Sequence, residues 1–127
     1  MTTSAPASNV RERLETERNA WMCTLRPDGS PHVTPVWFVH LHDTWWICSE
    51  RPNAKLRNVS ADPRVSLHLE DGDHPVVAEG RAIVHRTGYP VDVVSAFRVK
   101  YGWDIDTPES VLYEVPVTKW LLSGEAQ

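Results

Sequence analysis

The sequence predicts a mainly β domain, a six-stranded antiparallel barrel with three short helices. Six segments alternate apolar and polar residues or are rich in β-branched and aromatic residues, and polar turn sequences separate them. Only three segments have the apolar spacing of a helix, and all three are short. A closed barrel is favoured because closure removes the sheet edges that these β-branched and aromatic side chains would otherwise expose.

The length of 127 residues corresponds to one domain. Residues 1–7 are small and mostly polar and predict a disordered leader, which leaves residues 8–127 as the single barrel domain. We expect a cytoplasmic protein without a membrane partner, because the sequence shows neither a signal peptide nor a stretch of membrane-spanning length. The net charge of −4 and the pI of about 5.8 also disfavour nucleic-acid binding.

The first elements follow from local signals. Asn9, with Glu12 three residues on, has the spacing of a capping box and predicts a helix over residues 9–18. Alternation predicts a strand over residues 21–25. Pro, Asp, Gly and Ser at 27–30 then favour a tight turn, because proline presets φ and glycine tolerates positive φ.

Four further strands continue the barrel. Residues 32–39 form the second arm of the first hairpin, and Pro35 within them predicts an edge or a bulge because proline cannot donate to the ladder. Residues 45–49 form an apolar strand. Residues 64–70 and 76–86 are predicted to pair as a second hairpin across a polar loop.

The carboxyl-terminal part supplies the last helix and strand. Apolar residues spaced by three and four predict a helix over residues 90–101, with Gly102 as its stop, and residues 111–122 form the sixth strand. Cys23 and Cys48 each lie in an apolar strand with no ligand-like spacing, so we expect two buried, reduced thiols.

The segment over residues 49–58 has the composition of a phosphate-binding site. A strand ends there, and a short helix opened by a proline begins. The side chains of this segment that we assign to the site are Ser49, Arg51, Lys55, Arg57 and Asn58. The first N–H groups of a helix lack partners and its dipole favours an anion, to which a lysine or arginine adds full charge. A solvated basic helix face is the alternative.

Neither a catalytic residue nor a metal site is predicted. The sequence holds no nucleophile motif, paired carboxylates or glycine-rich phosphate loop. His40 and His42 alternate, but the other histidines lack the spacing to complete a zinc site, so we expect surface or hairpin-end histidines. Most of the six tryptophans are expected in the core or an interface, whereas Trp37 and Trp103 are candidates for the wall of a substrate cleft.

Three segments together carry a family resemblance: TLRPDGSPHVTPVWF at 24–38, the run from Ser49 to Asn58, and DPRVSLHLE at 62–70. Over residues 9–123 the chain resembles the pyridoxamine 5'-phosphate oxidase-like, FMN-binding split-barrel superfamily, and within it the small flavin/deazaflavin-dependent oxidoreductases. The resemblance implies a Greek-key split β-barrel and a homodimer with two cofactors in grooves between the protomers.

The resemblance also implies particular site residues. The backbone of Thr34, Pro35 and Val36 would face the flavin ring. Ser49 and Lys55 match the phosphate-binding serine and lysine, and Trp120 matches a tryptophan near the cofactor. Where pyridoxamine-oxidising members have an arginine and a glutamine, this chain has Ala54 and Pro75, and their basic carboxyl-terminal extension is missing. We therefore do not expect pyridoxamine phosphate oxidation.

The expected function is that of an oxidoreductase acting on a small unsaturated organic acceptor. Coenzyme F-420, a deazaflavin with an anionic tail, is preferred as the cofactor because the short carboxyl terminus leaves the basic groove open. FMN is the alternative cofactor. A non-catalytic flavin or deazaflavin carrier is the second class of function, and a small nucleic-acid-binding barrel, disfavoured by the acidic charge, is the third.

Overall fold

The computed structural model describes residues 8–125, so the predicted leader lies outside the described residues. The three predicted helices are present. They are α1 (Ser8–Thr16), α2 (Ala54–Ala61) and α3 (Val91–Tyr101). Helix α1 begins one residue before Asn9, so Asn9 lies inside the helix and its predicted role as the N-cap is wrong.

The fold is mainly β and antiparallel, as predicted, but residues 8–125 form eight strands rather than six. They are β1 (Ala20–Leu25), β2 (Pro31–Val36), β3 (Phe38–Leu41), β4 (Thr44–Ser49), β5 (Arg64–His68), β6 (Val76–Arg81), β7 (Ile83–His85) and β8 (Val111–Ser123). Two predicted strands are each divided at one residue, Trp37 and Ala82. At Trp37 the chain changes its partner from β1 to β4. At Ala82 it leaves β5 and stays paired with β8, but with the first half of that strand instead of the second, and sequence periodicity reveals neither change.

The sheet curls so that its two end strands are neighbours in the chain, joined by a single residue. The strand order is β2-β1-β5-β6-β8-β4-β3, and Trp37 alone separates β2 from β3. Strand β8 spans the barrel: its first half pairs with β4 and β7, and its second half pairs with β6. This curled sheet is a split β-barrel, which confirms the predicted fold class.

The core lies inside the barrel and continues beneath α1. Val10 and Leu14 of α1 are 1% and 0% exposed, and Trp45 and Tyr113 are the largest fully buried side chains among the described residues. A second apolar cluster joins α3 to the outer face of β3 and β4. Its members include Val39, Trp46, Val93, Phe97 and Leu112.

Local features that position the site also match the sequence. Gly102 ends α3 with φ 66°, as predicted, and thereby turns the chain toward Trp103. The first turn is closed by Asp28, whose Oδ1 accepts from the Ser30 N–H at 2.9 Å. Pro35 lies in β2, at one end of the strand order, as an edge position requires.

Within the described residues, no helix has the length and apolarity needed to cross a membrane.

Candidate functional site

A cavity of about 530 Å³ opens where the division between β2 and β3 meets the end of β4. The start of α2 and the residues after α3 complete its walls. Its lining residues are Asn19, Pro35, Val36, Trp37, Cys48, Ser49, Glu50, Lys55, Gly102 and Trp103. The cavity is therefore built by segments from four parts of the chain, and this volume is in the range of small-ligand and cofactor sites.

Lys55 is the main cationic group of this cavity. Asn53 caps α2 by accepting from the Lys55 N–H at 3.0 Å, which places Lys55 in the first turn of the helix. The side chain is 8% exposed, and its Nζ lies 3.5 Å from Thr34 Oγ1. Burial alone lowers its pKa, with no carboxylate among the described residues opposing the shift. A buried ammonium without a counter-ion among the described residues, at the positive amino-terminal end of a helix dipole, fits an anionic ligand.

Ser49 lies beside this lysine as the last residue of β4. It is 8% exposed and lines the cavity, so its hydroxyl is at the boundary between the core and the site. Asn53 Nδ2 lies 3.5 Å from Ser49 Oγ. Ser49, Lys55 and the first turn of α2 thus converge at one end of the cavity, where they could hold a phosphate group.

Aromatic side chains form the opposite wall. Trp37, 38% exposed, stacks on Tyr101 with ring centroids 4.4 Å apart and an interplanar angle of 8°. The ring of Trp103 meets Trp37 edge-on at 5.9 Å, and the guanidinium of Arg18 lies 4.9 Å from the Trp37 ring. These contacts hold Trp37 in place and leave part of its ring facing the cavity.

The end of α3 fixes the backbone next to Trp37. The Phe38 N–H donates to the Tyr101 hydroxyl at 3.0 Å, and this hydroxyl donates to the Arg18 carbonyl at 2.7 Å. Lys100 Nζ donates to the carbonyls of Phe38 and Leu14 at 3.0 and 3.2 Å. Burial lowers the pKa of Lys100 to about 8. The division between β2 and β3 is therefore held by side chains from α3.

Six of the sequence-predicted site residues line this cavity. They are Pro35, Val36, Trp37, Ser49, Lys55 and Trp103. Thr34 adjoins them through Lys55. Arg51 lines a smaller neighbouring cavity of about 350 Å³, which shares Glu50 and Trp103 with the first.

Three predicted residues lie elsewhere. Arg57 is exposed, two positions beyond Lys55 and so about 200° around α2 from it. Asn58 is 1% exposed and its Nδ2 donates to Thr24 Oγ1 at 3.0 Å, a bond that anchors α2 to β1. Trp120 packs on Trp45 and His40, with ring centroids 6.2 and 5.8 Å away, on β8.

The histidines differ from each other in environment. His42 lies at the tip of the β3–β4 hairpin, where its side chain is 79% exposed, as expected. His40 is instead partly buried against Trp45, and burial lowers its pKa. Across residues 8–125, no cluster of three or more metal-ligating side chains is present.

Several residues of the site carried no sequence signal that we used. Cys48 and Glu50 flank Ser49 and line the same cavity, while Asn19 enters it from the start of β1. Tyr101 and Arg18 support Trp37 from distant parts of the chain. Their position next to Ser49 in the sequence could have indicated Cys48 and Glu50. Asn19, Tyr101 and Arg18 are brought to the site only by the tertiary fold.

Comparison with known proteins identifies a family model that matches the chain and solved structures that share its fold. The family model for pyridoxamine 5'-phosphate oxidase matches residues 7–121. No curated protein matches the sequence. The crystal structure of a conserved hypothetical protein from Mycobacterium tuberculosis is 24% identical with a TM-score of 0.71, covering 94% of this chain and 89% of that one.

Two further solved structures share the fold. A protein described as an F-420 reductase is 21% identical with a TM-score of 0.71, covering 90% of this chain and 96% of its own. HutZ, a heme storage protein from Vibrio cholerae, is 16% identical with a TM-score of 0.72, covering 89% of this chain and 91% of its own. Because the family model spans most of the chain, this protein belongs to the pyridoxamine 5'-phosphate oxidase family.

Proposed function

We propose that this protein is an oxidoreductase that binds a phosphate-bearing flavin or deazaflavin, with coenzyme F-420 preferred over FMN, and acts on a small unsaturated acceptor. The observation that carries the proposal is the buried ammonium of Lys55, which faces the cavity without a counter-ion. A phosphate would supply the missing charge. Lys55 and Ser49 are the groups that would hold it, and the positive end of the α2 dipole would favour its charge.

The remaining walls suit a flat ring. The apolar surface of Pro35 and Val36 lies on one side of the cavity, and Trp37 and Trp103 lie on another. Flavins and deazaflavins supply the hydride chemistry themselves, so the protein has only to bind, orient and shield the reacting rings. Aromatic walls can also hold a planar acceptor by stacking. Ala54, at the position of an arginine in pyridoxamine-oxidising relatives, is the reason we do not propose pyridoxamine phosphate oxidation.

The choice of F-420 depends on the neighbouring cavity. Arg51 lies there, and the shared residues Glu50 and Trp103 connect it to the main cavity. The long anionic tail of F-420 could reach a second cation at this position, whereas FMN carries only one phosphate. The structural neighbour described as an F-420 reductase is consistent with this preference.

Salt should therefore weaken F-420 binding more than FMN binding. Contacts between exposed charges are screened over a Debye length of about 10 Å at 0.1 M salt. We expect a steeper salt dependence for F-420 in fluorescence titrations between about 0.05 and 0.5 M salt, and Arg51→Ala should reduce the difference. Arg57→Ala is the matched control, because that arginine is exposed on the other face of α2. Equal salt slopes, or tighter FMN binding throughout, would favour FMN.

Catalysis itself is tested with the reduced cofactor. Purified protein loaded with reduced F-420 or FMN should oxidise it faster when enone or quinone acceptors are added. The second candidate function, a non-catalytic carrier, has support from the shared fold of HutZ, which is described as a storage protein. Tight cofactor binding without turnover on any acceptor would favour that carrier function.

We also propose that the protein is a homodimer whose cofactor groove is completed by the partner. Apolar side chains are exposed on the outer surface, including Val33 at 52%, Ile83 at 48% and Leu121 at 48%. Trp120 lies away from the cavity of its own chain, so a cofactor contact by this residue would have to come from a second copy. Light scattering at micromolar concentration should give the mass of two chains, and a monomer that binds cofactor fully would contradict the proposal.

A further inference from the structure

The inference concerns Asn19, which lies between α1 and β1 and lines the main cavity. The antiparallel register of β1 and β2 pairs Ala20 with Val36. The next residues of the two strands are Asn19 and Trp37, which this register brings side by side, and both line the cavity. The fold therefore places a side-chain amide next to the aromatic wall.

One face of the Trp37 ring is open to a flat ligand. The ring of Tyr101 covers the other face, with an interplanar angle of 8°. The Arg18 guanidinium lies at nearly equal distances from the centroids of these two rings, 4.9 and 5.1 Å, so it lies beside both and not on the open face. Trp103 meets Trp37 edge-on. A planar ligand can therefore stack on Trp37 next to Asn19.

The Asn19 side chain is available to such a ligand. It is partly buried, and it makes no hydrogen bond with any side chain or backbone group of residues 8–125. The backbone on either side of it is fixed, because the Arg18 carbonyl accepts from the Tyr101 hydroxyl at 2.7 Å and Ala20 is fully buried in β1. The amide is thus held at the cavity without serving the fold itself.

The charged and hydroxyl side chains of the cavity are less suited to a carbonyl ligand. Ser49 and Lys55 are assigned to the phosphate, and the ionised carboxylate of Glu50 can accept but not donate. The Asn19 amide is neutral and has two N–H donors. The carbonyl oxygen of an enone is an acceptor, and it gains negative charge when the enone takes up a hydride.

We infer that Asn19 binds the acceptor, with its amide N–H donating to the carbonyl oxygen of an α,β-unsaturated ketone stacked on Trp37. The inference rests on the proposed function and deepens it by naming the class of acceptor. In the reduction, a hydride from the reduced cofactor adds to the β-carbon, and the electron pair of the C=C bond shifts to give an enolate oxygen. A proton from water then adds to the α-carbon. Asn19 stabilises the charge on the oxygen.

The binding test uses two ligands that differ in the carbonyl. α-Tetralone is a bicyclic ketone, and tetralin has the same ring skeleton without the oxygen. Neither is an enone, so no turnover disturbs the equilibrium. Equilibrium dialysis, with and without oxidised FMN or F-420, measures both affinities. We expect Asn19→Leu to weaken α-tetralone binding about three- to tenfold, the effect of one hydrogen bond, and to leave tetralin binding unchanged. Asn19→Asp keeps the shape and removes the donors, so it should lose the preference for the ketone as well.

Turnover gives a second measurement. With reduced cofactor and cyclohexenone, Asn19→Leu should lower kcat about ten- to 100-fold and raise KM much less, because the donor acts on charge that develops during the reaction. Asn9→Leu is the matched control, since it makes the same substitution at an exposed position of α1. It should match wild type in both measurements. Circular dichroism of each variant checks that the fold is retained.

The outcomes distinguish this inference from the proposed function. If both Asn19 variants keep the preference for α-tetralone, or lose both ligands equally, the inference is wrong, whereas reduction of cyclohexenone would still support the oxidoreductase. Weaker binding of oxidised cofactor by these variants would also overturn it, because Asn19 would then contact the cofactor. If wild type reduces no acceptor, the proposed function fails, and the comparison of α-tetralone with tetralin alone decides whether Asn19 binds a carbonyl group.

Discussion

Lys55→Met is expected to weaken binding of the phosphate-bearing cofactor by about 1.5–3 kcal/mol, roughly ten- to 150-fold. The substitution removes the buried ammonium and keeps a side chain of similar length. Hydrogen bonds to charged groups contribute in this range, and Lys55 faces the cavity from the first turn of α2. Within the part of the chain that the structure describes, no other lysine or arginine lines the same cavity, so the loss should not be compensated.

The same substitution is expected to stabilise the protein without ligand. Burial lowers the pKa of Lys55, so the folded state holds its proton less tightly than the unfolded state does. This destabilisation is fully present below the lowered pKa and disappears as the pH rises from there toward the ordinary lysine value. Lys55→Met removes it at neutral pH, and we expect a gain of about 1 kcal/mol because solvent still reaches part of the side chain.

The affinity of the cofactor should also fall with rising pH in the wild type. A phosphate interacts with the protonated amine, so binding weakens as the pH passes the lowered pKa of Lys55. This fall should be absent in Lys55→Met. Fluorescence titration from neutral to alkaline pH measures the affinity, and urea unfolding without ligand measures the stability.

Arg57→Met is the matched control for both measurements. It also removes a cation from α2, but from the exposed face. We expect little change in affinity and a change in stability within about 0.5 kcal/mol. If Lys55→Met binds FMN and F-420 as tightly as wild type, the phosphate site is wrongly assigned.

Local signals in the sequence predicted the elements of this fold better than their pairing. The helix over residues 90–101 and its stop at Gly102 follow from apolar spacing and from the freedom of glycine. The divisions at Trp37 and Ala82 have no such signal. At Trp37 the chain leaves β1 for β4, and at Ala82 it leaves β5 and pairs with a different half of β8, so both divisions depend on contacts distant in sequence.

Prediction of the candidate site has the same limit: local patterns indicate some of its residues, but not those that tertiary packing brings in. Ser49 and Lys55 could be predicted because a strand end followed by a capped helix is a local pattern. The orientation of Arg57 depends on the phase of α2, which is fixed when Asn58 bonds to Thr24 across the core. The support of Trp37 by Tyr101 could not be predicted, since the two rings are brought together only by packing of α3 on β3.

Gly80→Ala is expected to destabilise the protein by about 2–3 kcal/mol, a fall of roughly 10 °C in Tm. Gly80 lies in β6 at a shift in its register with β8. A methyl group on its Cα would lie 2.5 Å from the carbonyl oxygen of Pro116 and 2.7 Å from Val115 Cγ1. The first of these is a backbone atom, so relief of the clash requires β6 and β8 to separate.

The consequence should extend to the cavity, because Pro116 and Val115 also pair with the strand that ends at Ser49. We therefore expect Gly80→Ala to lower both Tm and cofactor affinity, whereas Lys55→Met lowers the affinity but not the Tm. Gly72→Ala is the control, since no atom lies within 4 Å of the added methyl group, and its Tm should match wild type. Thermal unfolding of wild type, Gly80→Ala and Gly72→Ala, each without ligand, measures the difference in Tm. A wild-type Tm for Gly80→Ala would mean that β6 and β8 are not packed this closely and that barrel closure does not constrain Ser49.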